Sequence, residues 1–116
     1  MKLDFEYAAK WLDKLRDYWW NKDIDSAANL FKKTTFYQET PFMEPYTTFD
    51  EIVNEWQHIK DQNIKKIEFK ILAIDTNILI VEWIFERDTT IYNGIYEIKF
   101  NDSLNCMYFK SWEMEK

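Results

Sequence analysis

Apolar positions fall into two rhythms along this chain, a helical one in the first half and a strand-like one in the second. Phe5, Ala8, Leu12, Leu15 and Trp19 recur at three-and-four spacing, which predicts a first helix from Asp4 to about Trp20, with Trp11 and Tyr18 widening its apolar face. Asp23 and Asp25, then Ile24, Ala27, Ala28 and Phe31, then Lys32 and Lys33 have the charge order and face of a short second helix. Thr34 to Thr40 is rich in β-branched and aromatic residues and reads as a strand ended by the Pro41 and Pro45 segment. Thr48-Phe49-Asp50-Glu51 has the form of a capping box opening a third helix, along which Ile52, Trp56 and Ile59 share a face.

After Asn63 the period becomes two. Four long strands are predicted, separated by turns at Asp75-Thr76-Asn77, Asp88-Thr89-Thr90 and Asn101-Asp102-Ser103, a spacing that suits an antiparallel meander. Helices first and strands last predict an α+β domain. Both strand faces carry large apolar residues. Leu79, Val81, Trp83 and Phe85 share one side; Ile80, Glu82, Ile84 and Glu86 share the other. In the next strand Tyr92, Gly94, Tyr96, Ile98 and Phe100 oppose Ile91, Asn93, Ile95, Glu97 and Lys99, and in the last Met107, Phe109, Ser111 and Glu113 oppose Cys106, Tyr108, Lys110 and Trp112. One face is expected to cover the helices. The other, mixing Ile, Tyr and Trp with charges of both signs, is expected to pair two copies of the chain as a homodimer.

At 116 residues the expectation is a single domain spanning residues 1–116. Aromatic residues make up 19% of the chain, more than a core of this size normally needs, so some rings are expected to line a cavity or an interface. A net charge of −6 argues against nucleic acid as a partner. The longest apolar stretch is broken by Asp75, Asn77 and Glu82, which argues against a membrane span, and a cytoplasmic location is expected. One cysteine and one histidine, widely separated, give no metal site, a single glycine rules out a glycine-rich phosphate loop, and no cofactor is expected.

Three stretches, together with the capped third helix, carry a family resemblance: Asp23 to Phe31, Glu39-Thr40-Pro41-Phe42-Met43-Glu44-Pro45, and Gly94 to Phe100. In order and spacing they resemble the nuclear-transport-factor-two-like, or SnoaL-like, superfamily over nearly the whole chain. The resemblance implies a cystatin-like cone, in which N-terminal helices pack on a strongly curved antiparallel sheet and enclose a pocket, and it implies dimerisation through the outer sheet face. The family includes ketosteroid isomerases, polyketide cyclases, limonene epoxide hydrolases, scytalone dehydratases and members without chemistry, so individual residues must decide function. Set beside a ketosteroid isomerase without gaps from Asp23 to Ile52, the catalytic aspartate falls on Glu39. The oxyanion-hole tyrosine falls on Leu15, and the neutral aspartic acid on Tyr96.

Glu39 is the catalytic candidate, because a carboxylate set among aromatic rings is desolvated and becomes a stronger base. Tyr96 is the candidate hydrogen-bond donor. Leu15, Trp19, Trp83, Phe85, Tyr92, Phe109, Ser111 and Glu113 are the expected pocket residues, suited to a small hydrophobic molecule. Gly94 is expected to permit sheet curvature, and His58, off the apolar stripe of its helix, to lie on the surface. Two functions fit this pattern. The first is a small-molecule-binding module, non-catalytic or of unknown activity; the alternative is a proton-transfer enzyme, an isomerase, cyclase or dehydratase, acting on a small hydrophobic carbonyl compound.

Overall fold

A computed structural model describes residues 2–115. The first helix, α1 (Phe5–Trp20), begins where Asp4 accepts a hydrogen bond from the Tyr7 amide at 2.8 Å, and Glu6 complements the helix dipole in the first turn. It buries Ala8, Trp11, Leu12 and Leu15. Asp23 caps the short α2 (Ile24–Asn29) by accepting from the Ser26 amide. Thr48 and Glu51 form a reciprocal capping box on α3 (Phe49–Trp56), which tightens into a 3-10 turn over Gln57–Asp61.

Five strands follow from the alternating segments: β1 (Phe36–Gln38), β2 (Ile64–Asp75), β3 (Ile78–Arg87), β4 (Thr90–Phe100) and β5 (Cys106–Glu115). They form one sheet in the order β1-β5-β4-β3-β2. The meander β2 to β5 is antiparallel, as its short turns predict, but β1 runs parallel to β5, with Tyr37 opposite Phe109. The sheet is therefore mixed and open, with β1 and β2 as its outermost strands, and the strongly curved antiparallel cone implied by the resemblance is corrected. The reason is topological. The chain leaves β1 through α3 before it enters β2, so β1 docks beside the last strand in parallel and never meets β2 to close the sheet.

Gly94 is corrected with it. A Cβ at this position would lie 2.8 Å from the Trp83 ring and against the Trp112 carbonyl, so the glycine makes room for an indole instead of bending the sheet. In β5 the expected alternation slips at its start. A register shift between Lys99 and Phe100 sets Cys106 opposite Phe100 on the buried side and turns Met107 outward, reversing their expected faces.

The core lies between the helices and one sheet face. Phe31 sits at its centre, edge-on to Trp11, Tyr37 and Phe109 and stacked on Trp56. No chain segment covers the opposite sheet face among the described residues, and no helix is long and apolar enough to cross a membrane.

Candidate functional site

Register alone builds the walls of a cavity. On the inner face, Phe109 lies between Tyr37 and Ile98; one step along, Ser111 lies opposite Tyr96; then Glu113 opposite Gly94 and Trp83; then Tyr92 opposite Phe85. Glu39 follows Tyr37 on the same side, next to the row of Ser111 and Tyr96. Leu15 and Trp19 from α1, and Glu55 and Trp56 from α3, close the space from above, leaving a cavity of about 300 Å³. Every residue proposed from the sequence for catalysis or for the pocket lines this one space.

Glu39 is its most perturbed carboxyl. Burial, then the negative charge of Glu55, raise it from 4.5 to about 8, against the opposing pull of a hydrogen bond from Tyr37, whose hydroxyl donates to Oε2 at 3.0 Å. At neutral pH this carboxyl holds a proton. Tyr37 is itself fully buried and stacked on Phe109, so the donor has little freedom to leave. Its own hydroxyl is held protonated, first by burial and then by the charge of Glu39.

Tyr96 lies sandwiched among Trp83, Phe69 and Phe109, with its ring stacked on the indole of Trp83 at 5.3 Å. Burial, Glu39 and Glu113 together push its hydroxyl well above the ordinary tyrosine range. That hydroxyl has no hydrogen-bond partner among the described residues, whereas the neighbouring Ser111 Oγ accepts from Trp83 Nε1 at 3.1 Å. Tyr96 is thus the donor free to meet a ligand. Ser111 is a buried anchor for the Trp83 wall.

Toward the mouth the polar groups multiply. The Arg87 guanidinium donates to the Tyr92 hydroxyl at 2.9 Å and to Asp88 at 3.2 Å. Tyr92 is consequently engaged in a rim contact. Glu113 is raised by burial and by Glu115 and lowered by Arg87. Glu55 accepts from the Tyr46 hydroxyl at 2.8 Å, which pushes that phenol up to about 12, and lies 3.5 Å from Nε2 of His58. The His58 side chain is 71% exposed, as its position off the helical stripe predicts, yet it stands at the cavity mouth.

Tyr37, Glu55 and Arg87 are site residues that the sequence reading passed over. Tyr37 had a visible signal, since it shares a strand face with Glu39. Glu55 had none, because it directly precedes the core residue Trp56 on α3 and nothing local sets it apart from the helix's other acidic residues. No group of three metal-ligating side chains gathers among the described residues. Cys106 lies outside the cavity, fully buried, and burial pushes its thiol up to about 12, so it is not poised as a nucleophile.

An α+β protein with helices on one face of an open mixed sheet, and a cavity between them, is a defined structural class. The chain has the fold of NTF-2 like and SnoaL-like proteins. No family model matches the sequence, and no curated protein matches it. Similarity is found among solved structures. An NTF-2 like protein of unknown function from Burkholderia xenovorans LB400 superposes with a TM-score of 0.75 at 11% identity, over 93% of this chain and 83% of that one. The epoxide hydrolase/cyclase-like enzyme SalBIII, with a role in pyran ring formation in the polyether salinomycin, gives 0.69 at 9% identity over 92% of each chain. An LEH-like epoxide hydrolase from M. tuberculosis gives 0.68 at 10% identity over 90% of this chain and 80% of that one.

Proposed function

We propose that the chain is a proton-transfer enzyme acting on a small hydrophobic carbonyl compound. Glu39 carries the proton and the Tyr96 hydroxyl steadies the carbonyl oxygen. The observation that carries this reading is a carboxyl raised to about 8 beside an unengaged, fully protonated tyrosine in an aromatic cavity. A carboxyl in that range gives up or regains a proton near neutral pH, where general acid–base catalysis is most effective. Because Glu39 is protonated at pH 7, its resting role is donor, and activity falls as pH rises through about 8. The fold likeness to SalBIII and to the M. tuberculosis epoxide hydrolase supports an enzymatic reading over a purely binding one, although fold alone does not fix the chemistry.

Exchange of α-protons of phenylacetone for deuterium in heavy water, followed by NMR, tests the reading. The wild-type chain is expected to accelerate exchange above buffer. Glu39→Gln is expected to lose it by about 100-fold or more while ligand-induced shifts persist. Exchange that survives this substitution, or that is absent from the wild-type chain, overturns the reading.

The uncovered sheet face supports a second copy of the same chain as partner. Ile80, Ile84 and Ile95 lie there half-buried among Lys70, Glu82, Glu97 and Lys110, and Trp112 is 45% exposed. A patch that alternates charge signs around an apolar centre is complementary to itself after a two-fold rotation.

A further inference from the structure

A donor alone does not complete proton transfer to and from carbon; a second group must take the proton that leaves. From the geometry of the cavity we infer that Glu55 is that group, a catalytic base paired with Glu39. The inference rests on the reading of Glu39 as proton carrier and assigns the other half of the same site.

Two tyrosines organise the pair. Tyr37 and Tyr46 are bridged through their backbones, each amide donating to the other's carbonyl at 2.9 Å, and their rings stack at 6.3 Å. Each presents its hydroxyl to a different carboxyl, Tyr37 to Glu39 and Tyr46 to Glu55. One oxygen of each carboxyl is thereby fixed, and the other is left for a ligand or a rim contact. Both carboxyls line the same cavity.

Their surroundings divide the roles. Glu39 is the inner group, faced by Tyr37 from β1, Tyr96 from β4, Glu113 from β5 and Glu55 from α3, with only apolar Leu15 and Trp19 opposite it on α1. Glu55, whose side chain is 17% exposed, is faced by Tyr46, Glu39 and the exposed His58, through which a proton has a short way to water. An inner carboxyl and a part-exposed one that line the same cavity can divide acid and base roles between them.

The step balances without a co-reactant. The Glu39 carboxyl O–H breaks, and its proton bonds to the carbonyl oxygen using the C=O π electrons. The α C–H breaks, its electron pair becomes the C=C bond of the enol, and its proton bonds to the Glu55 carboxylate. Glu39 ends ionised and Glu55 protonated. The reverse step, after Glu55 has traded its proton with solvent, returns the ketone with an exchanged α-position. The substrate class is a ketone with an acidic α-hydrogen and an apolar flank.

Glu55→Gln keeps an acceptor for Tyr46 and so preserves the fold, which circular dichroism checks. In the phenylacetone assay this variant is expected to lose exchange by about 100-fold at pH 8 and equally at about pH 6, and Glu55→Asp to recover roughly a tenth of wild-type exchange. If Glu55 acts only through its charge on Glu39, Glu55→Gln instead keeps the rate at about pH 6 and moves only the alkaline fall to lower pH; that result overturns the inference. Loss in Glu39→Gln together with full exchange in Glu55→Gln also overturns it and leaves the role of Glu39 standing. Absence of exchange in the wild-type chain, or its survival in both variants, overturns both.

Discussion

Glu39 is held in a protonation state that its side chain would not choose in water, and this has a cost to folding as well as a use. Its carboxyl rises from 4.5 in the unfolded chain to about 8 in the folded one. The stabilisation linked to the bound proton is complete below 4.5 and is lost as pH climbs through about 8. A rise from 4.5 to about 8 corresponds to at most about 5 kcal/mol. Glu113, also raised by burial, acts in the same direction. Urea denaturation is therefore expected to show the wild-type chain losing stability between pH 5 and pH 9, and Glu39→Gln losing much less over that span. Equal slopes in the two proteins would remove burial of Glu39 as the cause. The position of Glu39 was legible because one family's catalytic carboxylate falls there and an aromatic strand surrounds it. Its hydrogen-bond donor Tyr37 was marked only by sharing a strand face with Glu39, since a buried tyrosine otherwise looks in sequence like any core ring.

At the level of elements, sequence periodicity located the three helices and five strands because each buries a single continuous stripe, and caps such as Asp4 and Thr48 mark their beginnings. It failed where pairing partners decide the outcome. The parallel docking of β1 depends on contacts across roughly seventy residues of chain, and the exchange of Cys106 with Met107 on a register shift within the β4–β5 pair, neither of which alternation alone encodes. Gly94 belongs to the same category. Its neighbours in space, Trp83 and the Trp112 carbonyl, come from the two flanking strands, so the glycine reads as a bend until those strands are in place. Gly94→Ala is expected to destabilise the chain by about 2–4 kcal/mol, because the clash involves backbone and a buried indole that cannot both yield. Thermal unfolding checks this, and a midpoint within a degree or two of wild type would mean that β4 and β5 separate more easily than their packing indicates.

The whole molecule presents two unlike sides, one closed over by helices around a ligand-sized space and one bare. The amphipathic strands made both apolar sides legible in sequence, but the height of the cavity roof depends on how α1 and α3 lie across the sheet, which residue spacing does not specify. If the bare side pairs two copies, light scattering after size exclusion is expected to give about twice the 14.4 kDa of one chain, and Ile95→Lys, at the centre of that side between Glu82 and Trp112, to give one chain's mass with the fold intact. A wild-type chain that already elutes at single-chain mass excludes the pairing.

An open sheet also leaves a row of backbone amides and carbonyls unpaired along β2, and exposed strand edges are templates for runaway aggregation. At the other edge β1 is only three residues long, and Tyr37 already pairs with Tyr46 on its outer side. The β2 row is twelve, but its register shifts near both ends, between Ile64 and Lys66 and between Ile71 and Ala73, and it carries Lys65, Lys66 and Lys70. A neighbouring chain trying to extend the sheet would meet a kinked, charged border, on which Lys66 pairs with Glu68. The openness that keeps this fold from closing on itself is thus matched by an edge chemistry that keeps copies from polymerising along it.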